Sequence, residues 1–378
     1  MMRDGAISIT LKGSVGAFTL DVGFDVPASG ITALFGPSGC GKTSILRCVA
    51  GLQMLPGTIS VGDDIWQDTS SGTFLPAHER HVGYVFQEAS LFPHLSVRDN
   101  LLYGARRVKA PTAHEGPSLE DIVHLLGIRP LLERASTTLS GGERQRVAVG
   151  RAILSQPRVL LMDEPLSALD RITKDEILPY FEMLHEKLRL PILYVSHDMA
   201  EIERLADTLV LVNGGRALAV GPLLELQTDP RLPLLSSSEA SVVLDGAVRR
   251  FDKDFALTEL EVVGGSLIVP GLHGEPGDKR RLRIAASDVS LARTRPTDST
   301  IVNCLAVRIV DIQVRQDHPH VTAILALGAN GEGARIAARI TRRSLVGLGL
   351  GPGQVVFAQI KSVALIASRA AQISTAKR

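Results

Sequence analysis

Three cysteines in 378 residues, Cys40, Cys48 and Cys304, are too few and too scattered for a disulfide framework or a cysteine-based metal site. Aromatic residues are scarce as well, at 4% with a single tryptophan. No segment approaches the roughly 18 uninterrupted apolar residues of a membrane-spanning helix. The opening MMRDGAISIT has no basic start followed by an apolar run, so no secretory leader is expected and the chain is expected to stay in the cytoplasm. An excess of one charge is missing too. With 41 Lys and Arg against 40 Asp and Glu, a net +1 gives no electrostatic case for nucleic acid as a main partner. The basic stretch Lys279 to Arg283 reads as a solvated strand face. What the chain does have is 45% apolar residues, ample for burial, over a length that points to two or three domains.

Residues 5 to 35 alternate apolar and polar positions around Gly13, Gly16, Pro27 and Gly30 and end in the apolar run Ile31 to Phe35, which predicts strands. The last of these feeds a glycine-rich loop, Gly36, Pro37, Ser38, Gly39, Cys40, Gly41, Lys42 and Thr43. Ser44 to Gly51 then has helical apolar spacing and a glycine stop. From Ser90 to about Gln156 the pattern is mainly helical, around a loop rich in proline and small residues between Ala110 and Pro117. Val159 to Met162 reads as a buried strand, Lys174 to Leu190 as an amphipathic helix, and Ile192 to Val195 and Thr208 to Val212 as short apolar strands. Strands alternating with helices predict a mostly parallel sheet covered on both faces, an α/β fold, and the glycine-rich loop between strand and helix makes it resemble the P-loop NTPase kind. After about Leu235 the texture changes to a serine-rich linker (Ser236 to Ser238) and then short strands between glycine and proline turns. Arg335 to Ile340 and Arg281 to Ala286 alternate basic and apolar residues, so a small all-β, barrel-like domain with one wet face is expected. The expected division is 1–235 for the α/β domain, with a helical subdomain at about 88–156. Residues 236–296 would be linker and first accessory strands, 297–367 a β-domain and 368–378 a tail.

Phosphate oxygens need several hydrogen-bond donors converging on one point. Glycines at 36, 39 and 41 let backbone N–H groups approach without Cβ obstruction, and the following helix start adds its positive dipole end. Lys42 is placed to reach the β- and γ-phosphates of a nucleotide, and Thr43 to offer a hydroxyl to Mg²⁺. Cys40 reads as a small residue that fits the loop, where an alkylating reagent would block ATP. Asp163 closes the apolar strand at its carboxyl end and is the expected second Mg²⁺ ligand. Because side chains alternate along an extended segment, adjacent Glu164 is expected to point elsewhere and polarise the attacking water.

Further along, Leu139 to Arg146 reads LSGGERQR, and with GPSGCGKT it resembles the nucleotide-binding subunit of ABC transporters over residues 1 to about 230, every major motif in order. The resemblance implies a homodimer that sandwiches two ATP molecules, with Ser140, Gly141 and Gly142 of one subunit facing the γ-phosphate held by the phosphate loop of the other. It implies that Gln87, in YVFQEASLFPH, senses Mg²⁺ and the attacking water, and that Ser90 to Tyr103 faces a membrane partner. His197, in YVSHD, is implied as a γ-phosphate contact, and Ser167 to Asp170 as a loop touching the opposite site. The family often stacks an aromatic ring on adenine from a strand before the phosphate loop; in LKGSVGAFTL only Phe18 is available. Soluble repair or translation ATPases of the same superfamily are the competing class. The short interval between loop and signature leaves no room for the long coiled coil of repair members, and translation members usually carry two cassettes. A third class is a binding module, with the C-terminal domain as a ligand sensor or store.

The tail narrows the choice. Arg283 to Leu291, RIAASDVSL, resembles the opening of the accessory domain of importers for oxyanions, sugars, polyamines and iron. Ser299 to Leu305 (STIVNCL) and Phe357 to Val363 (FAQIKSV) resemble two stretches of a molybdate-binding β-domain, although Val302 stands where an arginine is common. Ser299, Asn303, Lys361 and Ser362 are donors able to surround a tetrahedral dianion without adding negative charge. GITALFGPSGCGKTS, RHVGYVFQEASLFPHLSVRDNLLYG and PILYVSHDMAEI closely resemble molybdate-importer ATPases. The resemblance implies an ATP- and Mg²⁺-using homodimer on the cytoplasmic face of an inner membrane. It would energise molybdate uptake through a separate permease and a periplasmic or external oxyanion-binding protein. Tungstate, sulfate or another oxyanion is the alternative cargo, with the C-terminal domain then only structural or regulatory.

Overall fold

Ile7, Ile9 and Leu11 alternate with Ser8, Thr10 and Lys12, and this period of two buries one face of the first strand while its other face stays wet. The computed structural model describes residues 7–16, 18–106, 116–188, 190–236, 240–314 and 318–366. Most of the proline-rich loop, serines 237 and 238 of the expected linker, and the tail 368–378 lie outside the described residues. Two compact units divide at Pro222 and Leu223.

In the first unit, β1 (Ile7–Val15) and β2 (Phe18–Val26) form an antiparallel hairpin, followed by β3 (Gly30–Phe35) and α1 (Lys42–Val49). Three antiparallel strands, β4 (Gly57–Val61), β5 (Asp64–Asp68) and β6 (Thr73–Phe74), precede β7 (Val82–Val85). Helices α2 (Val97–Ala105), α3 (Leu119–Leu125) and α4 (Gly141–Leu154) make the insert. They approach closely at Gly150, where a Cβ would stand 2.8 Å from Leu101 and 3.2 Å from Ile122. Then come β8 (Val159–Asp163), α5 (Arg171–Lys187), β9 (Pro191–Ser196), α6 (Met199–Leu205), β10 (Thr208–Asn213) and β11 (Arg216–Pro222). The sheet runs β6-β5-β4-β1-β2-β11-β10-β3-β9-β8-β7, and its segment β10-β3-β9-β8-β7 is parallel throughout. Every residue of β8 and β9 is buried, as parallel strands covered on both faces must be. Leu34, Ile45, Leu161 and Val195 share one core that fixes α1 to these strands. The carboxyl ends of β3, β9, β8 and β7 therefore lie side by side, and Gly36, His197, Glu164 and Gln87 follow them.

The second unit starts with α7 (Leu223–Leu226), upstream of the boundary at 235 expected from composition. Gln227 explains why: its Nε2 donates to Val243 O at 2.7 Å and its Oε1 accepts from Val243 N at 3.0 Å, both buried, so this segment is bound into the β-rich unit. One sheet runs β14 (Gly265–Pro270), β13 (Leu257–Val262), β12 (Ser241–Asp252), β15 (Lys279–Ala285) and β21 (Ala364–Ile366). The other runs β16 (Val289–Ala292), β20 (Val355–Ile360), β17 (Asn303–Val314), β18 (His320–Leu327) and β19 (Arg335–Thr341), with α8 (Arg342–Gly347) after it. Edge strands β16 and β19 approach each other, which curls the second sheet toward a barrel. Leu282 and Ile284 of β15 are buried and alternate with half-buried Arg281 and Arg283, but the one-sided alternation expected of β19 does not hold, since Ile336, Ala337 and Ala338 are all buried and only Arg335 is exposed among its first four residues.

Candidate ATP-binding and hydrolysis site

The chain leaves β3 at Phe35 and turns through Gly36, where a Cβ would meet Val212 O at 1.9 Å, so only glycine lets the loop pass against β10. At Gly41, φ is +105°, and a Cβ would lie 2.7 Å from both Phe18 Cζ and Leu20 Cδ1. Phe18, at the start of β2, thus packs beside the phosphate loop. Gly41 caps α1 without a side-chain hydrogen bond, which leaves first-turn N–H groups without a side-chain partner and suited to an anion. Lys42 is buried, and its Nζ donates to Gly36 O at 2.8 Å and Pro37 O at 3.0 Å, so the ammonium is held within the curl of the loop. Cys40 Sγ is 3.9 Å from the same nitrogen.

Thr43 Oγ1 donates to Asp163 Oδ1 at 2.8 Å, and Tyr84 Oη donates to Asp163 Oδ2 at 3.0 Å. Burial, and then the Asp163 charge, push the Tyr84 hydroxyl well above its ordinary pKa, so it remains a donor. A hydroxyl and a carboxylate in contact, with the Gln87 amide at the end of neighbouring β7, are hard oxygen donors of the kind Mg²⁺ takes, and the residues present fit that ion.

Glu164 does diverge from Asp163, for a different reason than strand alternation. Its backbone is left-handed, φ +46°, and its N–H donates to Val195 O at 3.0 Å, which turns the chain out of β8. The carboxylate then meets His197, following β9, with Oε2 3.1 Å from Nδ1. Glu164 O also accepts from Ser167 Oγ at 2.9 Å, tying in the SALD segment.

Ser140 caps α4 through a reciprocal capping box: Ser140 Oγ accepts from Glu143 N at 3.3 Å, and Glu143 Oε2 accepts from Ser140 N at 2.7 Å. Gly142 lies against α5, where a Cβ would be 2.8 Å from Thr173 and 2.9 Å from Ile177. A groove of about 600 Å³ is lined by Gln87, Ser90, Gly141, Gln145, Pro165 and Leu169 among others, so Gln87 and the signature turn border one space.

In the second unit, the four proposed oxyanion donors lie near the start of β17 and the end of β20 but are not equally available. Asn303 pairs with Ile360, next to Lys361 and Ser362, and Ser299 Oγ accepts from Gln359 Nε2 at 3.1 Å. The Asn303 amide, however, bridges to β14, donating to Ile268 O at 2.9 Å and accepting from Ile268 N at 2.7 Å. Lys361 and Ser362 are exposed.

Several residues went unnoticed in the sequence. Tyr84 carried one signal, an aromatic hydroxyl two residues after Val82 on a short apolar strand. Arg80 carried none: it is buried, donating to Cys48 O, Val49 O, Leu75 O and Trp66 O, and so fastens the carboxyl end of α1. Lys174 and Glu201 are also paired beneath His197, as described below.

The ABC transporter family model matches residues 20–167 and the TOBE domain model residues 299–367. With the phosphate loop, Asp163–Glu164 and the signature turn assembled as above, the class is an ATPase component of an ABC transporter. The chain is 56% identical to a molybdenum import ATP-binding protein ModC of Rhodopseudomonas palustris (strain BisB18), over 97% of this chain and 96% of that one. It is 54% identical to the protein of that name from Rhodobacter capsulatus, over 96% and 98%. It is 47% identical to molybdenum import ATP-binding protein ModC 1 of Azotobacter vinelandii, over 97% and 100%. A solved structure of cbiO1 from Clostridium perfringens, part of the ABC transporter complex cbiONQ, has the same fold over 62% of this chain and 96% of its own, with a TM-score of 0.51 at 22% identity. The chain belongs to the family formed by the molybdenum import ATP-binding proteins.

Proposed function

We propose that this protein is the ATP-hydrolysing subunit of a molybdate importer, acting as a homodimer on the cytoplasmic face of the inner membrane beneath a separate permease fed by a periplasmic oxyanion-binding protein. The observation that carries the proposal is identity of 54–56% through both units to proteins bearing that name, supported by the Thr43–Asp163 and Glu164–His197 contacts. Among the described residues no helix is long and apolar enough to cross a membrane.

Lys42 and the loop amides bind the β- and γ-phosphates, and Phe18, which packs beside Gly41, is the one aromatic candidate to stack on adenine from the strand before the loop. Thr43, Asp163 and Gln87 would hold Mg²⁺, which when bound supplies positive charge against the developing negative charge on the phosphates. Glu164 orients the attacking water and accepts its proton, while the γ-phosphorus–oxygen bond to ADP breaks and phosphate leaves. His197 fixes the Glu164 carboxylate and reaches the γ-phosphate. Ser140, Gly141 and Gly142 come from the second subunit, so closing the dimer completes the site and hydrolysis releases it.

In the second unit, Ser299, Lys361 and Ser362 are the donors left for molybdate, because the Asn303 amide is engaged with Ile268. The decisive experiment removes the gene and measures cellular molybdenum by mass spectrometry at limiting molybdate. The wild-type gene restores uptake and Lys42→Ala does not. Normal molybdenum with impaired sulfate uptake would transfer the cargo to the alternative oxyanion.

A further inference from the structure

Beneath the loop that carries His197 lies a carboxylate that the hydrolytic scheme does not use. Glu201, on α6, is 3% exposed and accepts three hydrogen bonds. Tyr194 Oη donates to its Oε2 at 2.8 Å, Ser196 Oγ to the same oxygen at 2.9 Å, and Lys174 Nζ to its Oε1 at 2.7 Å. Lys174 also donates to Asp198 Oδ2 at 3.1 Å, and Asp198 N donates to Ser196 Oγ at 3.0 Å. The residues on either side of His197, Ser196 and Asp198, are thus both fastened to one charged cluster.

The cluster reaches further through Lys174, which sits in the first turn of α5. Its neighbour Thr173 closes the SALD segment, Oγ1 donating to Asp170 Oδ2 at 2.7 Å, and presents its methyl to Gly142 of the signature turn. Burial and the Glu201 charge hold the Tyr194 hydroxyl far above its ordinary pKa, so it stays a donor. A buried ion pair is a poor source of stability, since an apolar pair of similar shape usually serves as well or better. What it supplies is a fixed position.

We propose that the Lys174–Glu201 pair, its carboxylate buried and its ammonium partly so, positions His197 against Glu164 and couples that placement to the α5 turn that adjoins the signature. Both are positioning residues. The inference rests on the proposed catalytic role of Glu164 and His197. When the pair is intact, the His197 ring stays within hydrogen-bond reach of Glu164, 3.1 Å in this structure; when it is broken, the loop between Ser196 and Asp198 loses its anchor.

The test is steady-state ATP hydrolysis by the full-length chain for Glu201→Gln, Lys174→Met and the double variant. Each single substitution breaks the ion pair and lowers kcat by about 10- to 100-fold, with KM for ATP within about twofold because the phosphate loop is untouched. The double variant regains about fivefold or more over the weaker single, as coupled neighbours do. Tyr194→Phe, which removes one donor and keeps the ring, lowers kcat about threefold and serves if the charge variants fail to fold. In a His197→Ala background, Glu201→Gln adds no further loss. Unchanged kcat in the singles, strictly additive losses, or a full further loss without His197 overturns the positioning role. A wild-type chain that does not hydrolyse ATP would overturn the assignment of the site itself, a distinguishable result.

Discussion

Glu164 is the residue on which the proposed hydrolysis turns, and the role proposed for it rests on a backbone feature as much as on its carboxylate. The left-handed turn at φ +46° separates it from Asp163 and faces it to His197. Glu164→Gln should retain ATP binding while kcat falls by about 10²- to 10⁴-fold, and near-normal turnover in a phosphate-release assay would remove it from the base role. A different prediction concerns the thiols. Burial lifts the Cys48 thiol to about 11, so at pH 8 it stays protonated and unreactive, its thiolate appearing only as pH rises towards that value. Maleimide at pH 8 followed by mass spectrometry should leave Cys48 unmodified in the native protein and modify it after unfolding; native labelling at Cys48 would contradict its burial. Lys42 and Thr43 were legible because they close a glycine-rich motif at the start of a helix, and Asp163 because it closes a short apolar strand. Glu201 and Lys174 were not. Their partners lie 27 residues apart in the chain, and no local pattern predicts which acid of an amphipathic helix turns inward.

Among elements, α1 carries the greatest burden in the proposed site, since its first turn is the one proposed to bind phosphate and its last turn is held from outside the helix. Arg80 fastens that last turn by donating to Cys48 O and Val49 O, and Gly51 makes room for it, a Cβ there falling 2.8 Å from Arg80 Nε. Arg80→Met removes a donor from three buried carbonyls and a part-buried one and should destabilise the chain by about 3 kcal/mol, read as a lower midpoint in urea. An unchanged midpoint would show that water replaces the guanidinium without cost. The parallel strands were readable from their unbroken apolar runs, and the helical insert from its period. Strands β4 to β6 were not read, because two to five residues of mixed polarity around turns give no clear alternation. The start of the second unit was misplaced for a related reason: Gln227, a polar side chain in an unremarkable segment, makes the join through two hydrogen bonds to one backbone residue.

For the whole molecule, the central expectation is that two copies share each ATP. Glu164→Gln with Mg²⁺ and ATP should elute as a dimer in light-scattering chromatography and as a monomer without nucleotide; a species that stays monomeric at saturating ATP would sink the shared site. Calorimetry of the full chain with molybdate, tungstate and sulfate should give heat for molybdate that Lys361→Ala abolishes, whereas no heat with any of the three makes the second unit structural. Composition announced that this unit is all-β, but not its two-sheet plan. Pairing of Leu282 with Leu365 joins residues far apart in the chain, and such partners are set by packing rather than by local sequence.

The same pairing imposes an order of assembly during synthesis. Strand β21, at 364–366, completes a sheet whose other members are finished by Ala285, so that sheet waits unfinished on the ribosome while some eighty further residues emerge. The ATP-binding unit, whose last strand ends at Pro222, is under no such delay and can be folded before its companion exists.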